Sequence, residues 1–199
     1  MKLPDPVLDG EVSLERTIHT RRTVRSFRSR ALSLEQLSQV LWAAQGITET
    51  GGFKRAAPSA GALYPMDVYG LIGKECIEEL TPGVYHYTPT GHTLSLIQEG
   101  DARRTLAEAS LWQMWMAEAP LNLVITAEYS RITIKYGQRG VRYAMIEAGH
   151  IGQNIFLQCQ AMGLEAGIVG AFDDSKVIQV MGIKKTHEPL LILPVGYVR

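Results

Sequence analysis

Cysteine is scarce: the 199 residues contain two, Cys76 and Cys159, and no CxxC pair. A disulfide framework and a cysteine-built zinc site are therefore excluded, and a reducing compartment fits the chain. Excess charge of either sign is lacking as well, since 20 Lys and Arg face 20 Asp and Glu. That balance argues against a nucleic-acid coat or a polybasic membrane binder. No uncharged apolar run approaches the ~18 residues of a membrane-crossing helix, and Met1 to Pro6 has no apolar core of a secretion signal. The expectation is a soluble, cytoplasmic protein with no membrane and no nucleic-acid partner. Also missing are GxG, GxxxxGK, GxSxG and HExxH, which removes the dinucleotide fingerprint, the phosphate loop, the serine-hydrolase elbow and the zincin helix.

What is present is an ordinary globular composition, 46% hydrophobic and 20% charged. By the usual area scaling a chain of this mass folds to about 9,300 Å² of exposed surface from about 32,000 Å² extended, enough burial for a core without staples. No repeat or Ser/Gly linker divides residues 1–199, so one domain is expected. Ser33-Leu34-Glu35-Gln36 has the form of a capping box. Leu34, Leu37, Leu41 and Ala44 follow at helical spacing until Gly46. Strands are expected at 65–73, 83–87 and 93–97, and continuous apolar runs at 121–127, 166–171 and 190–195 suggest covered central strands. Asp101 opens a short helix with Leu106 and Leu111 facing inward, and 112–119 suggests a further helical turn closed by Pro120. A long helix is expected over 141–162, with Met145, Ala148, Gly152, Ile155, Phe156 and Cys159 on its apolar stripe. Its small residues Ala144, Ala148, Gly149 and Gly152 suggest a close neighbour. The sum is an α+β fold with a covered central sheet.

Three segments carry chemistry. Residues 21–30, RRTVRSFRSR, hold five arginines in ten positions. Guanidinium forks suit phosphate, and in an extended segment Arg21, Thr23 and Arg25 share one face while Arg22 points elsewhere. A solvated basic stretch or a nucleic-acid contact is the plain alternative. The second segment, Ala57-Pro58-Ser59-Ala60-Gly61-Ala62-Leu63-Tyr64-Pro65, is so poor in bulky side chains that its backbone can lie against a flat ligand; a simple loop explains it equally. The third, Gly167-Ile168-Val169-Gly170-Ala171-Phe172-Asp173-Asp174, puts glycines about a strand exit, where ligands gather in open α/β sheets. Glu147-Ala148-Gly149-His150 matches the ExxH spacing of di-iron bundles, but the second motif which that chemistry needs is absent, so no metal site is expected.

Together, and in this order, these segments resemble the nitroreductase family, and within it the SagB-type azoline dehydrogenase branch. The resemblance runs through RRTVRSFRSRALSLEQLSQVLWAAQGI, APSAGALYPMDVY, GVYHY, AEAPLNLVITA, YGQRGVRYAMIEAGHIGQNIFLQCQAMGL, GIVGAFDD and LLILPVGY. It implies a nitroreductase-like α+β fold with a mostly antiparallel sheet covered by helices. It further implies a homodimer holding two FMN molecules at the subunit interface. Carried over residue by residue, Arg21, Arg22, Thr23 and Arg25 would bind the FMN phosphate, ribityl chain and pyrimidine edge. Pro58, Ser59, Ala60 and Ala62 would come from the partner subunit, and Ile168, Val169, Gly170 and Ala171 would lie beside the isoalloxazine. Gln113 would be a polar flavin contact, and Arg199 a second phosphate charge.

The same resemblance makes Lys135 and Tyr136 candidate catalytic residues that would take a proton from carbon while flavin takes a hydride. An exposed lysine beside a half-buried tyrosine is the plain alternative. These 199 residues contain no companion cyclising domain, so reduction of nitroaromatics or quinones with NAD(P)H stands beside azoline oxidation as the expected small-molecule chemistry. Two further alternatives stay open. One is a protein of this fold that uses reduced FMN to process a flavin or corrinoid ligand, and the other is a non-enzymatic anion-binding module.

Overall fold

The computed structural model describes every residue, 1–199, and exposes 9791 Å², close to the area expected from its mass. The elements in chain order are α1 (Leu14–Thr20), α2 (Leu34–Gln45), β1 (Met66–Ile72), β2 (Gly83–Thr88), β3 (Thr93–Glu99) and α3 (Arg103–Ala109). They continue with β4 (Leu121–Ala127), α4 (Ser130–Tyr136), α5 (Arg139–Ala161), β5 (Glu165–Ala166), α6 (Asp174–Met181) and β6 (Glu188–Gly196). Short 3₁₀ turns occupy Ala60–Ala62 and Met114–Glu118. The six strands form one sheet in the order β3-β2-β1-β4-β6-β5, with every ladder antiparallel.

Strand β4 is central: five of its seven side chains are apolar, and only Asn122 and Thr126 bring polar groups into the core. All seven of its residues are buried, β1 pairs on one side and β6 on the other, and its backbone is fully used. The period-two alternation of β1 divides the interior. Met66, Val68 and Ile72 enter a 29-residue cluster under α2 and α5. Tyr69 and Leu71 enter a 12-residue cluster under α3 and α6. Each fully buried Leu or Ile of β4 contributes roughly 1.5–3 kcal/mol of transfer free energy.

Helix α2 begins where the capping box predicts. Ser33 Oγ accepts from the Gln36 amide at 3.2 Å, and Gln36 Oε1 accepts from the Ser33 amide at 3.0 Å, so two orphan donors are satisfied reciprocally. Gly46 closes it by donating to the Trp42 carbonyl.

Three expectations are corrected. The strand at 166–171 shrinks to Glu165–Ala166 plus one bridge, Val169 to Ile192. There the chain diverges because residues 23–24 add to its other edge, Val24 donating to the Ala166 carbonyl at 3.1 Å. Leu111 is 65% exposed rather than inward; it and Trp112 take left-handed φ of 53° and 62° just beyond α3, which turns both side chains outward. Met145 is 53% exposed, on the outer side of α5. Helices α1, α4 and α6, of seven or eight residues each, are additions that short amphipathic segments did not announce. Two of them carry legible caps: Ser13 accepts from the Arg16 amide and Asp173 from that of Lys176.

Candidate functional site

The arginine segment is an extended edge, held by backbone. Thr23 bridges to Ala166 in parallel, and Phe27 bridges to Val198 antiparallel. Gly167 permits this approach: a Cβ there would lie 2.7 Å from the Val24 carbonyl and 2.8 Å from the Trp115 ring. Arg21 projects over the Phe156 ring of α5, its guanidinium carbon 5.2 Å from the centroid. Arg22 turns back, Nη1 donating to the carbonyls of His19 at 2.9 Å and Arg21 at 2.8 Å, so it caps α1. Arg25 is exposed. Arg199 reaches the same edge, donating to the Phe27 carbonyl at 3.1 Å and lying 3.7 Å from Glu118.

Beside this edge lies the 167–171 exit. Gly170 and Ala171 are exposed, a Cβ on Gly170 would meet open space, and neither amide donates within the backbone network. Gln113 fixes the exit from below, its Nε2 donating to the carbonyls of Ser110 and Ala171 at 3.0 and 3.1 Å. Arg21, Thr23, Arg25, Gln113, 168–171 and Arg199 thus form one neighbourhood in a single chain. Two unspent amides and unpaired guanidinium charge give it an anion-binding and acceptor-binding character.

The small-residue loop builds a second neighbourhood. Gly61, Ala62 and Tyr64 take φ of 62°, 53° and 46°, a tight left-handed path on which Ser59 Oγ accepts from the Tyr64 amide at 3.0 Å. A Cβ on Gly61 would sit 2.7 Å from the Tyr136 hydroxyl and 3.0 Å from Lys135 Nζ, so glycine is what lets the pair rest on this turn. Tyr136 packs edge-on to Tyr143, with centroids 5.2 Å apart. Pro58, Ser59 and Ala60 line a cavity of about 260 Å³ with Tyr143, Ile146, Glu147 and His150. The Pro58 carbonyl lies 3.3 Å from His150 Nδ1.

Glu147, only 1% exposed, is the functional candidate whose environment the sequence did not reveal. Burial raises its carboxyl to about 7, against the opposing pull of Ser59, Gln45 and Arg55. Gln45 donates to Oε1 at 3.3 Å, whereas Oε2 has no hydrogen-bond partner. The Ser59 hydroxyl approaches without a well-directed bond.

The two neighbourhoods do not converge. Helix α5 separates them, with Glu147 and His150 beside the loop and Phe156 beneath Arg21. Nine residues of α-helix turn through about 900°, placing Glu147 and Phe156 on opposite sides of the helix and about 14 Å apart along it.

A third polar group lies at the end of β1. Arg131 of α4 forks between Asp67 Oδ2 at 2.8 Å and Glu128 Oε2 at 2.6 Å. His86 lies 2.9 Å from Asp67 Oδ1, and His187 2.9 Å from the Tyr69 hydroxyl. Burial would raise the Asp67 carboxyl, but His86, Arg131 and His187 outweigh it and hold it below the usual range. Burial lowers His187. Donor atoms of Asp67, Glu128 and His187 lie within 4.8 Å of one another, yet the Arg131 guanidinium already bridges both carboxylates with its one positive charge. We therefore treat the group as the anchor of α4, which carries Lys135 and Tyr136. A lone aspartate in the apolar run of β1 was its one sequence signal.

An antiparallel six-stranded sheet covered by helices, with an arginine edge laid against a glycine-rich strand exit, places the chain among the α+β oxidoreductases. It belongs to the nitroreductase family: the sequence pattern of that family matches residues 18–197. The chain is 41% identical over 196 residues to MJ1384 of Methanocaldococcus jannaschii, assigned to the nitroreductases, covering 98% of this chain and 95% of that one. It is 28% identical over 165 residues to the microcin B17-processing protein McbC of Escherichia coli, covering 81% of this chain and 61% of McbC. Among solved structures, a protein of Ralstonia eutropha assigned to the nitroreductases superposes with a TM-score of 0.86 at 30% identity, covering all of this chain and 89% of that one. The Escherichia coli microcin synthetase McbBCD complex gives 0.76 at 26% identity, covering 95% and 74%. The family is one of generally flavin-dependent oxidoreductases whose members commonly form dimers. No helix of this chain is long and apolar enough to cross a membrane.

Proposed function

We propose that residues 1–199 form one FMN-binding domain that works as a homodimer, each FMN lying between two copies. The carrying observation is the opposed placement of the two neighbourhoods on α5. One chain offers an anion-binding edge on one side and a small-residue loop on the other, and a second copy supplies the missing half of each site. Exposed Leu14, Ile18, Met145 and Ile146 on α1 and α5, with open space over Gly149, support an unpartnered face there.

In this reading Arg21, Thr23 and Arg25 hold the FMN phosphate and ribityl chain. Arg22 and Arg199 reach it only by leaving the carbonyls they now bind. Ile168 and Val169 back the ring, the free amides of Gly170 and Ala171 donate to its edge, and Gln113 keeps that exit in place. Pro58, Ser59, Ala60 and Ala62 of the partner copy cover the remaining side. Bound FMN supplies two-electron hydride chemistry through N5. Donor amides and guanidinium groups aimed at the pyrimidine edge stabilise negative charge there without reorganising.

Lys135 and Tyr136 give the chain its own proton chemistry. Their polar ends rest together on Gly61, where a free amine or a phenolate would take a proton from a substrate carbon and, as ammonium or phenol, hold it. That arrangement favours oxidation of a small azoline-type substrate. Reduction of nitroaromatics or quinones, with NAD(P)H as donor, is the second reading and needs no such pair.

A visible spectrum of purified protein, before and after NADH or NADPH, tests the assignment. A yellow protein bleached by NADH or NADPH supports the reductase, and one bleached only by an azoline supports the dehydrogenase. Flavin-poor protein that consumes reduced FMN would point to ligand processing, and salt-sensitive anion binding without flavin to a non-enzymatic module. Full FMN occupancy in the Arg21→Ala, Arg25→Ala double variant would refute the phosphate site.

A further inference from the structure

We infer that Glu147 is a positioning residue for the Lys135–Tyr136 pair, acting through Ser59 and the left-handed turn that follows it. This rests on the proposed proton-handling role of that pair and extends it by one residue. The pair and Gly61 touch, Gly61 and Ser59 share a turn, and Ser59 and Glu147 line one cavity. Lys135 Nζ and the Tyr136 hydroxyl rest on Gly61. Gly61 lies inside a turn whose Ala62 and Tyr64 also carry positive φ, a conformation that side chains with a Cβ do not hold unaided. Within the turn the bonds are few: the Ala62 amide to the Ser59 carbonyl at 3.2 Å, the Leu63 amide to the Ala60 carbonyl at 3.4 Å, and the Tyr64 amide to Ser59 Oγ at 3.0 Å.

Ser59 accepts that last bond with its oxygen, which leaves its hydroxyl proton to give. Beside it, lining the same cavity, is the Glu147 carboxyl, buried and with Oε2 unpartnered. An ordinary serine turn needs no acid beneath it, and a buried carboxyl without a full set of partners is costly. Glu147 is in turn held by Gln45 of α2, whose Oε1 accepts from Arg55 Nη1 at 2.9 Å. Arg55 also stacks 4.2 Å over the Tyr64 ring. The ionisable and charged groups about Glu147 are therefore Arg55 from the preceding segment, and Tyr143 and His150 from its own helix beside the cavity. The carboxyl and the turn are thus joined through Gln45, Arg55 and Tyr64 and adjoin across the cavity at Ser59.

Hydrogen exchange on the ligand-free chain tests the link without flavin. Glu147→Ala and Ser59→Ala are expected to speed exchange of the Tyr64 amide at least about tenfold while the amides of α5 keep their protection. Glu147→Gln, which keeps shape and polarity, is expected to stay within about threefold of wild type. The ring NMR signal of Tyr136, assigned with Tyr136→Phe, is expected to shift in both alanine variants and return in Glu147→Gln. After correction for intrinsic rates, Tyr64 protection changes between about pH 6 and pH 8 in wild type and not in Glu147→Gln. An unchanged Tyr64 amide and Tyr136 signal in Glu147→Ala, or equal loss of protection along all of α5 in that variant, would overturn the inference. Should Glu147→Ala fail to fold, Glu147→Asp, which draws the carboxyl back from the turn by one methylene, reads the same link. Unchanged turnover in flavin-loaded Lys135→Ala and Tyr136→Phe would instead remove the proton-handling role, an outcome separate from the exchange result.

Discussion

The contact between the arginine edge and the 167–171 exit depends on one missing carbon, which makes Gly167→Ala a direct probe of it. The new Cβ would sit 2.7 Å from a backbone carbonyl, that of Val24, and 2.8 Å from two atoms of the Trp115 ring. Neither neighbour is a free side-chain end. Trp115 stacks on the buried Phe27, centroids 6.3 Å apart, and Val24 is tied to Ala166 by its own amide. Relief requires the edge to move outward, which strains or breaks the Val24–Ala166 bond. Overpacking of this kind costs about 1–3 kcal/mol, and a loss of about 2 kcal/mol corresponds to about 4–8 °C of melting temperature at this chain length. The edge also carries Arg21, Thr23 and Arg25, so FMN affinity is expected to fall by more than the melting shift alone implies, at least about tenfold. Differential scanning fluorimetry without flavin and fluorescence titration with FMN measure the two effects. A variant with wild-type melting and wild-type affinity would show that the edge is not seated by this contact.

Other outcomes follow from single contacts. Arg131→Met removes the cation shared by Asp67 and Glu128; with Asp67 largely buried and Arg131 partly exposed, about 2–3 kcal/mol of stability is expected to be lost in urea unfolding. The Glu147 carboxyl titrates at about 7 in the fold and near 4.5 in an open chain. Its stabilising contribution is therefore complete below about pH 4.5 and lost as pH rises through 7, about 3 kcal/mol in all. Unfolding at pH values on either side should show that slope in wild type, and an equal slope in Glu147→Gln would contradict it. Ser33→Ala removes half of the capping box and is expected to cost about 1 kcal/mol by thermal unfolding.

How far the sequence reached can be judged element by element. The start of α2 was legible because a capping box is a local code: Ser33 and Gln36 satisfy each other's amides whatever surrounds them. Strands β4 and β6 were legible because a run covered on both faces must be mostly apolar, Asn122 and Thr126 being the two polar residues of β4. Over 166–171 the strand is cut short after Ala166, where residues 23–24, far off in sequence, join its other edge and only Val169 still bridges β6. Leu111 and Met145 were placed inward by periodicity, which registers spacing but not what lies opposite. Helices α1, α4 and α6 are too short for a periodic pattern to stand out.

The site divides along the same line. Sequence alone determined which residue types are available: a cluster of guanidinium groups, a loop without bulk and a glycine-flanked strand exit, each a local composition. It also determined family membership, because the order of those segments is a property of the chain. Only the tertiary structure decided that the arginine edge and the strand exit adjoin while the loop lies across α5, and that Gly61 supports Lys135 and Tyr136. It alone turned Glu147, in sequence the acid of a lone ExxH motif, into a buried carboxyl raised to about 7. Burial and long-range contact are sums over the whole packed chain, and no window of neighbouring residues contains them.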